Sequence, residues 1–403
     1  MNFGYTKPQA ETLINKLSGY RQETVLNKVS IIFQMFQEYG YSKQNVIHIT
    51  LANPRMCSLA INSIKNRLSF LESFDYTKVD VVRITDHVPR MFGYSDDIII
   101  DKISNMMKLG YSYKDVINMT KRFGVLYEFD PVFMKQRIGE LVDLGYTPQQ
   151  VKKITKSCPQ MFGYSMDDIN DKVRYFNNLG YDKDAFINVT VKSPRILTFS
   201  EDTITNRIND FCKLGYARQD VLKMVKKAPT ILSCSIDNIK DKFNGFMALG
   251  YSYDDILKMT VMAPTLFTLS LDNVKDKVSN FMELDFSKDE TIKITNIFPS
   301  IFNSNWDVIK EKIDFYDSIG LRSSIIHDPR RLMLSLDLAS ARYEFYKEHA
   351  INIDEDNCSK LFVANKAFEH KWNISRDELI ERYSYVENKD KIKDKSKGDI
   401  ING

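Results

Sequence analysis

The sequence predicts an all-α solenoid of about nine to ten 35-residue helix-pair repeats, and two columns of residues in phase predict it. An aromatic residue, usually preceded by Gly, recurs at Tyr41, Tyr76, Tyr111, Tyr146, Tyr181, Tyr216, Tyr251 and Phe286, and Leu321 continues the step of 35. A second column, Pro54, Pro89, Pro159, Pro194, Pro229, Pro264 and Pro299, keeps the same step, with Gly124 in its one gap. A unit of this length cannot bury its own apolar faces, so neighbours must stack.

Each element of the repeat has a local cause. Tyr followed by Ser or Thr, with an acidic residue or Gln three positions on, reads as an N-cap with a capping box, as in Ser112 with Asp115 and Ser252 with Asp255. A first helix of about ten residues starts at each aromatic and ends before the proline, which pushes its predecessor out of helical conformation. A short apolar link such as Arg195-Ile196-Leu197-Thr198-Phe199 leads to a second cap at Ser95, Asp130, Ser165, Ser200, Ser235 and Ser270. The second helix carries Ile204, Ile208, Phe211 and Leu214 on one stripe and closes at Gly215, a residue suited to the left-handed turn that ends a helix.

The ends of the array diverge. Gly4-Tyr5 lies 36 residues before Tyr41, with Gly19 in the proline's place, and after Leu321 the proline arrives five residues early, at Pro329. The repeats are expected over residues 4–350. A helical cap follows over 351–387, with Phe368 and Trp372 on the last apolar face, and then a charged flexible tail over 388–403.

Composition sets the outer limits. Of 403 residues, 43% are hydrophobic and 27% charged, as in a folded soluble protein rather than a disordered one. Lys and Arg number 56 against 53 Asp and Glu, a net charge of +3, so any basic surface must come from arrangement. Cys57, Cys158, Cys212, Cys234 and Cys358 contain no C-x-x-C pair and read as reduced thiols, which points to an intracellular reducing compartment. No apolar run approaches the ~20 residues of a membrane span. The opening residues show neither a signal-peptide core nor a long organellar presequence, which leads to cytoplasm or nucleoid as the expected location.

The pattern Leu-Gly-Tyr-Ser, apolar helix, Pro-x-apolar-apolar, Ser, then a helix with Lys and Phe resembles the repeats of the mitochondrial transcription termination factor (mTERF) family. It is clearest in Leu109-Gly110-Tyr111-Ser112, Leu249-Gly250-Tyr251-Ser252 and Ala263-Pro264-Thr265-Leu266, and runs from about Gly4 to Glu387. The resemblance implies helix-helix-3₁₀ triplets forming a curved superhelix whose concave basic face binds nucleic acid. It implies roles in organellar transcription or ribosome assembly, and the mitochondrial matrix if it extends to compartment. TAL-effector-like DNA readers use helix pairs of similar length, but their Gly-Gly-Lys-Gln signature is missing here and the proline column disfavours them.

Candidate contacts fall in two sets. Arg67, Lys102, Arg137, Lys172, Arg207, Lys242, Lys277 and Lys312 form a ladder within the second helices, again 35 apart, and Lys347 continues the step. Beside the apolar stripe, each stem can lie on the core and each head reach solvent. Two readings stand: contact with the phosphates of a duplex, or structural pairing with Asp101, Asp171, Asp241, Asp276 and Glu311. The second set flanks the proline: Arg55, Arg90 and Arg195 follow it, while Arg122, Lys192 and Lys227 precede it or Gly124 by two. These positions vary on a constant frame, as partner contacts would, or as tolerant surface would. With layers ~8–10 Å apart, nine units span roughly 80 Å, comparable with two turns of duplex at ~34 Å each.

The repeated Thr50, Thr85, Thr120, Thr155, Thr190, Thr260 and Thr295 read as structural, each hydroxyl bonding a carbonyl one turn back. Phe176, Phe211, Phe246 and Phe281 read as core. Only loop aromatics such as Tyr94, Tyr127 or Tyr164 are placed to stack on bases. No catalytic or metal motif occurs among the five histidines, the cysteines or the glycines, so no enzyme activity, cofactor or metal is expected. The expected function is that of a monomeric nucleic-acid-binding protein, favouring double-stranded DNA over RNA, that regulates transcription by occupancy. The alternative is a scaffold in ribosome assembly that recruits an RNA-modifying enzyme, with a protein docking at the C-terminal cap around Phe362, Phe368 and Trp372.

Overall fold

A computed structural model of the chain describes residues 3–17 and 22–383. Gly19, residues 384–387 of the expected cap and the tail 388–403 lie outside the described residues. Those described form an all-α solenoid with no strand among them. The chain divides into two compact units, one ending at Glu201 and the other starting at Asp202.

In the first unit, after Lys7–Lys16 and Gln22–Tyr39, the repeat runs Lys43–Ala52, Pro54–Ser58, Ile61–Glu72 and recurs with the same lengths or nearly so. First helices have ten residues and open one or two residues after the aromatic, at the Ser, Thr or Asp cap. The capping box at Ser112 and Asp115 forms, with the Asp115 amide bonded to the Ser112 hydroxyl at 3.1 Å. The link read as a short apolar connection is a five-residue 3₁₀ helix, as in Pro89–Gly93. Proline suits its first position because the N–H it lacks would find no partner there. Met91 and Phe92 of that turn are buried.

Most second helices end on a left-handed glycine. At Gly145, φ is +106°, its N–H bonds Val142 O at 2.8 Å, and Tyr146 N–H bonds Leu141 O at 3.2 Å. This double bond closes the helix and drives the next aromatic into the core; Tyr146 is 2% exposed.

The aromatic column then latches the stack. Hydroxyls of Tyr41, Tyr76, Tyr111 and Tyr146 lie 2.5–2.8 Å from Thr85, Thr120, Thr155 and Thr190 of the next repeat. Each threonine also donates to a carbonyl one turn back, Thr155 to Val151 O at 2.7 Å. Burial pushes the Tyr111 and Tyr146 phenols up to about 12.

The second unit repeats the scheme from Glu201–Lys213 to Leu336–Glu348, with latches Tyr216–Thr260 and Tyr251–Thr295. Phe211, Phe246 and Phe281 are fully buried. The early Pro329 shortens one first helix to six residues, Arg322–His327. Beyond it, Phe368 and Trp372 stack edge-on against Phe345 at 5.4 and 5.2 Å.

Candidate nucleic-acid interface

Five of the eight ladder heads, Arg67, Lys172, Lys242, Lys277 and Lys312, bond backbone carbonyls of the next repeat and are at most half-exposed. Within the first unit Lys172 Nζ donates to Leu197 O at 3.0 Å and to Phe199 O, while Arg67 donates to Tyr94 O and pairs with Asp96. In the second, Lys277 reaches Phe302 O and Ser304 O at 2.5 and 2.6 Å, Lys242 reaches Leu269 O, and Lys312 reaches Leu332 O at 2.6 Å. All these acceptors lie where the next repeat passes from its 3₁₀ turn into its second helix. The carbonyls there have no helical partner, and a long flexible cation one layer below satisfies them. Burial lowers the proton affinity of Lys172, Lys242, Lys277 and Lys312.

Other rungs settle differently. Arg137 is buried, 3.2 Å from Glu140 on its own helix and stacked on the Phe133 ring at 5.4 Å. Lys102 Nζ lies 5.8 Å from the Tyr94 ring centre, and Arg207 is half-buried. Asp171, expected to pair across repeats, pairs with Arg174 on its own helix. The step also breaks at its end: the five-residue deletion moves the rung from Lys347, which pairs with Glu344, to the buried Arg342. Arg342 donates to Leu361 O and Val363 O, each at 2.7 Å.

The proline-flanking set is exposed. Arg55, Arg90 and Arg195 stand on the 3₁₀ turns of the first unit, with the Arg195 guanidinium 5.9 Å from the Phe199 ring. Arg122 caps the first helix of the following repeat through Lys156 O at 3.0 Å. Lys227 does the same to Val261 O at 3.2 Å in the second unit, and Lys192 is exposed at the equivalent position. A cation at a helix C-terminus complements its dipole. Of the loop aromatics, Tyr127 is fully buried with its hydroxyl 2.7 Å from that of Tyr76, so it is no stacking platform; Tyr94 and Tyr164 are half-buried.

A further column was missed by the sequence reading. His48, Arg83 and Lys153 in the first unit, and Lys223, Lys258 and Lys293 in the second, sit mid-way along first helices, all exposed and all in one repeat position. The same 35-residue step marks it in the sequence, interrupted by Asn118 and Asn188. Exposed Asp97 and Asp167 in the first unit, and Asp202, Asp237, Asp272 and Asp307 in the second, hold another position at the start of second helices. In a near-neutral chain the cation column thus holds one fixed position of the first helices, and the carboxylate column one fixed position at the second-helix starts.

Among the described residues no helix is long and apolar enough to cross a membrane, and no three His, Cys, Asp or Glu are grouped to hold a metal. No curated protein matches the chain. The mTERF family model matches three times, over residues 7–139, 123–273 and 239–369. With the triplet of two helices and a 3₁₀ turn repeated through both units, the chain belongs to the mTERF family.

Proposed function

We propose that the chain binds double-stranded DNA through the exposed cations of its first helices and 3₁₀ turns and regulates transcription by occupying its target, without catalysing a reaction. Family membership supports nucleic-acid binding. The observation that carries the reading further is the set of cations Arg55, Arg90, Lys153 and Arg195, all exposed on first-helix and 3₁₀ positions of one unit. Arginine and lysine are the phosphate-contacting residues, and such contacts add up along a backbone.

The ladder enters this reading as a support for the stack, because most of its heads serve carbonyls. The protein-docking alternative has less apolar surface to use: Phe368 is buried, and Phe362 and Trp372 are half-buried, packed on Tyr316 and on Phe345 and Tyr346. Replacing Arg55, Arg90, Lys153 and Arg195 together by Glu is expected to weaken binding to a labelled DNA duplex by more than about tenfold in fluorescence anisotropy. The far-ultraviolet dichroism of the variant should be unchanged. Wild-type affinity in that variant would contradict the assignment.

A further inference from the structure

Arginine and lysine rungs of the first unit fill the space between second helices differently. Arg67 donates to Tyr94 O, pairs with Asp96 and lies 5.3 Å from the Phe70 ring, so the chain's own guanidinium occupies the niche beside Asp96. Lys172 holds the repeat position of Arg67, Phe199 that of Tyr94 and Glu201 that of Asp96. A lysine has no guanidinium fork with which to serve a carbonyl and a carboxylate together. Its single ammonium goes to the Leu197 and Phe199 carbonyls, the first at 3.0 Å, and not to Glu201. What remains is a groove of about 370 Å³ within the first unit, lined by Tyr164, Asp168, Lys172, Leu197, Phe199 and Glu201 among others. Its volume falls in the range of small-ligand sites, ~300–1,000 Å³.

The lining suits a flat cation. Asp168, Asp171 and Glu201 outnumber the one lysine around the groove. Asp171 is engaged by Arg174, and Asp168 serves the Ser165 cap through Oδ2, which keeps its Oδ1 for another donor. The Tyr164 and Phe199 rings are half-buried in the wall. Phe199 already has one guanidinium near it, that of Arg195 at 5.9 Å, which is not part of the lining. A planar guanidinium joins a carboxylate through two parallel N–H bonds and stacks on an aromatic face, which a round ammonium cannot match.

We propose that this groove binds a guanidinium group brought by another molecule, either an arginine side chain or a free guanidinium compound. The incoming group pairs with Glu201 as Arg67 pairs with Asp96, and lies against the aromatic wall. No bond is made or broken. The inference does not rest on nucleic-acid binding, and Glu201 and Lys172 are not among the cations assigned to a duplex.

The test is saturation-transfer NMR of the full chain with N-acetyl-argininamide, and with N-acetyl-lysinamide for comparison. The arginine compound is expected to bind saturably and at least about fivefold more tightly than the lysine compound. Glu201→Gln keeps the shape of an exposed side chain and should weaken binding by about tenfold. Lys172→Arg supplies the chain's own guanidinium, as at Arg67, and should abolish binding while the protein melts no lower than the wild type. A Gly-Arg-Gly peptide that binds as tightly as the single residue assigns the ligand to a protein side chain; a peptide that does not bind assigns it to a free compound. Absence of saturable binding, no preference for arginine over lysine, or wild-type affinity in either variant would overturn the proposal.

Discussion

The tyrosine–threonine latch is the smallest unit that joins one repeat to the next. Tyr146 and Thr190 are both buried and 2.6 Å apart, so removing one hydroxyl leaves the other partly unserved. Tyr146→Phe is expected to cost about 1 kcal/mol in urea unfolding, because Thr190 keeps its carbonyl bonds to Phe186 and Ile187. The latch also sets a pH limit. Folded tyrosines hold their protons above the ordinary value of 10.0, Tyr111 to about 12, so above pH 10 the folded chain binds more protons than the unfolded one. Stability is then lost as pH rises through that window. The ladder lysines act oppositely below 10.5, but the tyrosines outnumber them and are displaced further. The urea midpoint should therefore fall between pH 10 and 12; a flat profile would contradict the buried column. The threonine's back-bond was legible in the sequence. Its tyrosine partner was not, because Tyr111 and Thr155 lie 44 positions apart and meet only once the repeats stack.

At the scale of the element, the caps and closing glycines were the most legible features, since each is fixed by residues within one turn. Asp75, Asp285 and Ala350 take the glycine's place at the ends of three second helices and still adopt positive φ, 64°, 63° and 55°. The backbone there is set by the stack rather than by residue preference. The ladder was the opposite case. Its period and its place beside the apolar stripe were visible, but the destination of its heads depends on carbonyls of the next repeat. For Lys277 those are Phe302 O and Ser304 O. Lys277→Met should therefore destabilise the second unit by about 1–3 kcal/mol, the range for leaving buried acceptors unserved. Calorimetry of the full chain would read the loss, and an unchanged melt would show the contact to be dispensable.

At the scale of the molecule, a net charge of +3 conceals exposed cations that recur at fixed positions of the first helices and 3₁₀ turns. The 35-residue step made the fold readable almost throughout. The candidate surface was readable only in part: Arg55, Arg90 and Arg195 were identified from their variability beside a constant proline, and Lys153 only from its exposure. The division after Glu201 has no counterpart in the repeat pattern, which runs unbroken through that point. The central claim is that exposed first-helix and 3₁₀ cations neutralise phosphates of a duplex. Its most direct test is the salt dependence of duplex DNA binding, measured side by side for the wild type and for the variant with Arg55, Arg90, Lys153 and Arg195 changed to Glu. The account predicts a linear fall of log K with log salt in the wild type, and a slope shallower by about 0.9 for each contact removed in the variant. A salt-independent affinity, or the same slope in both proteins, would contradict it.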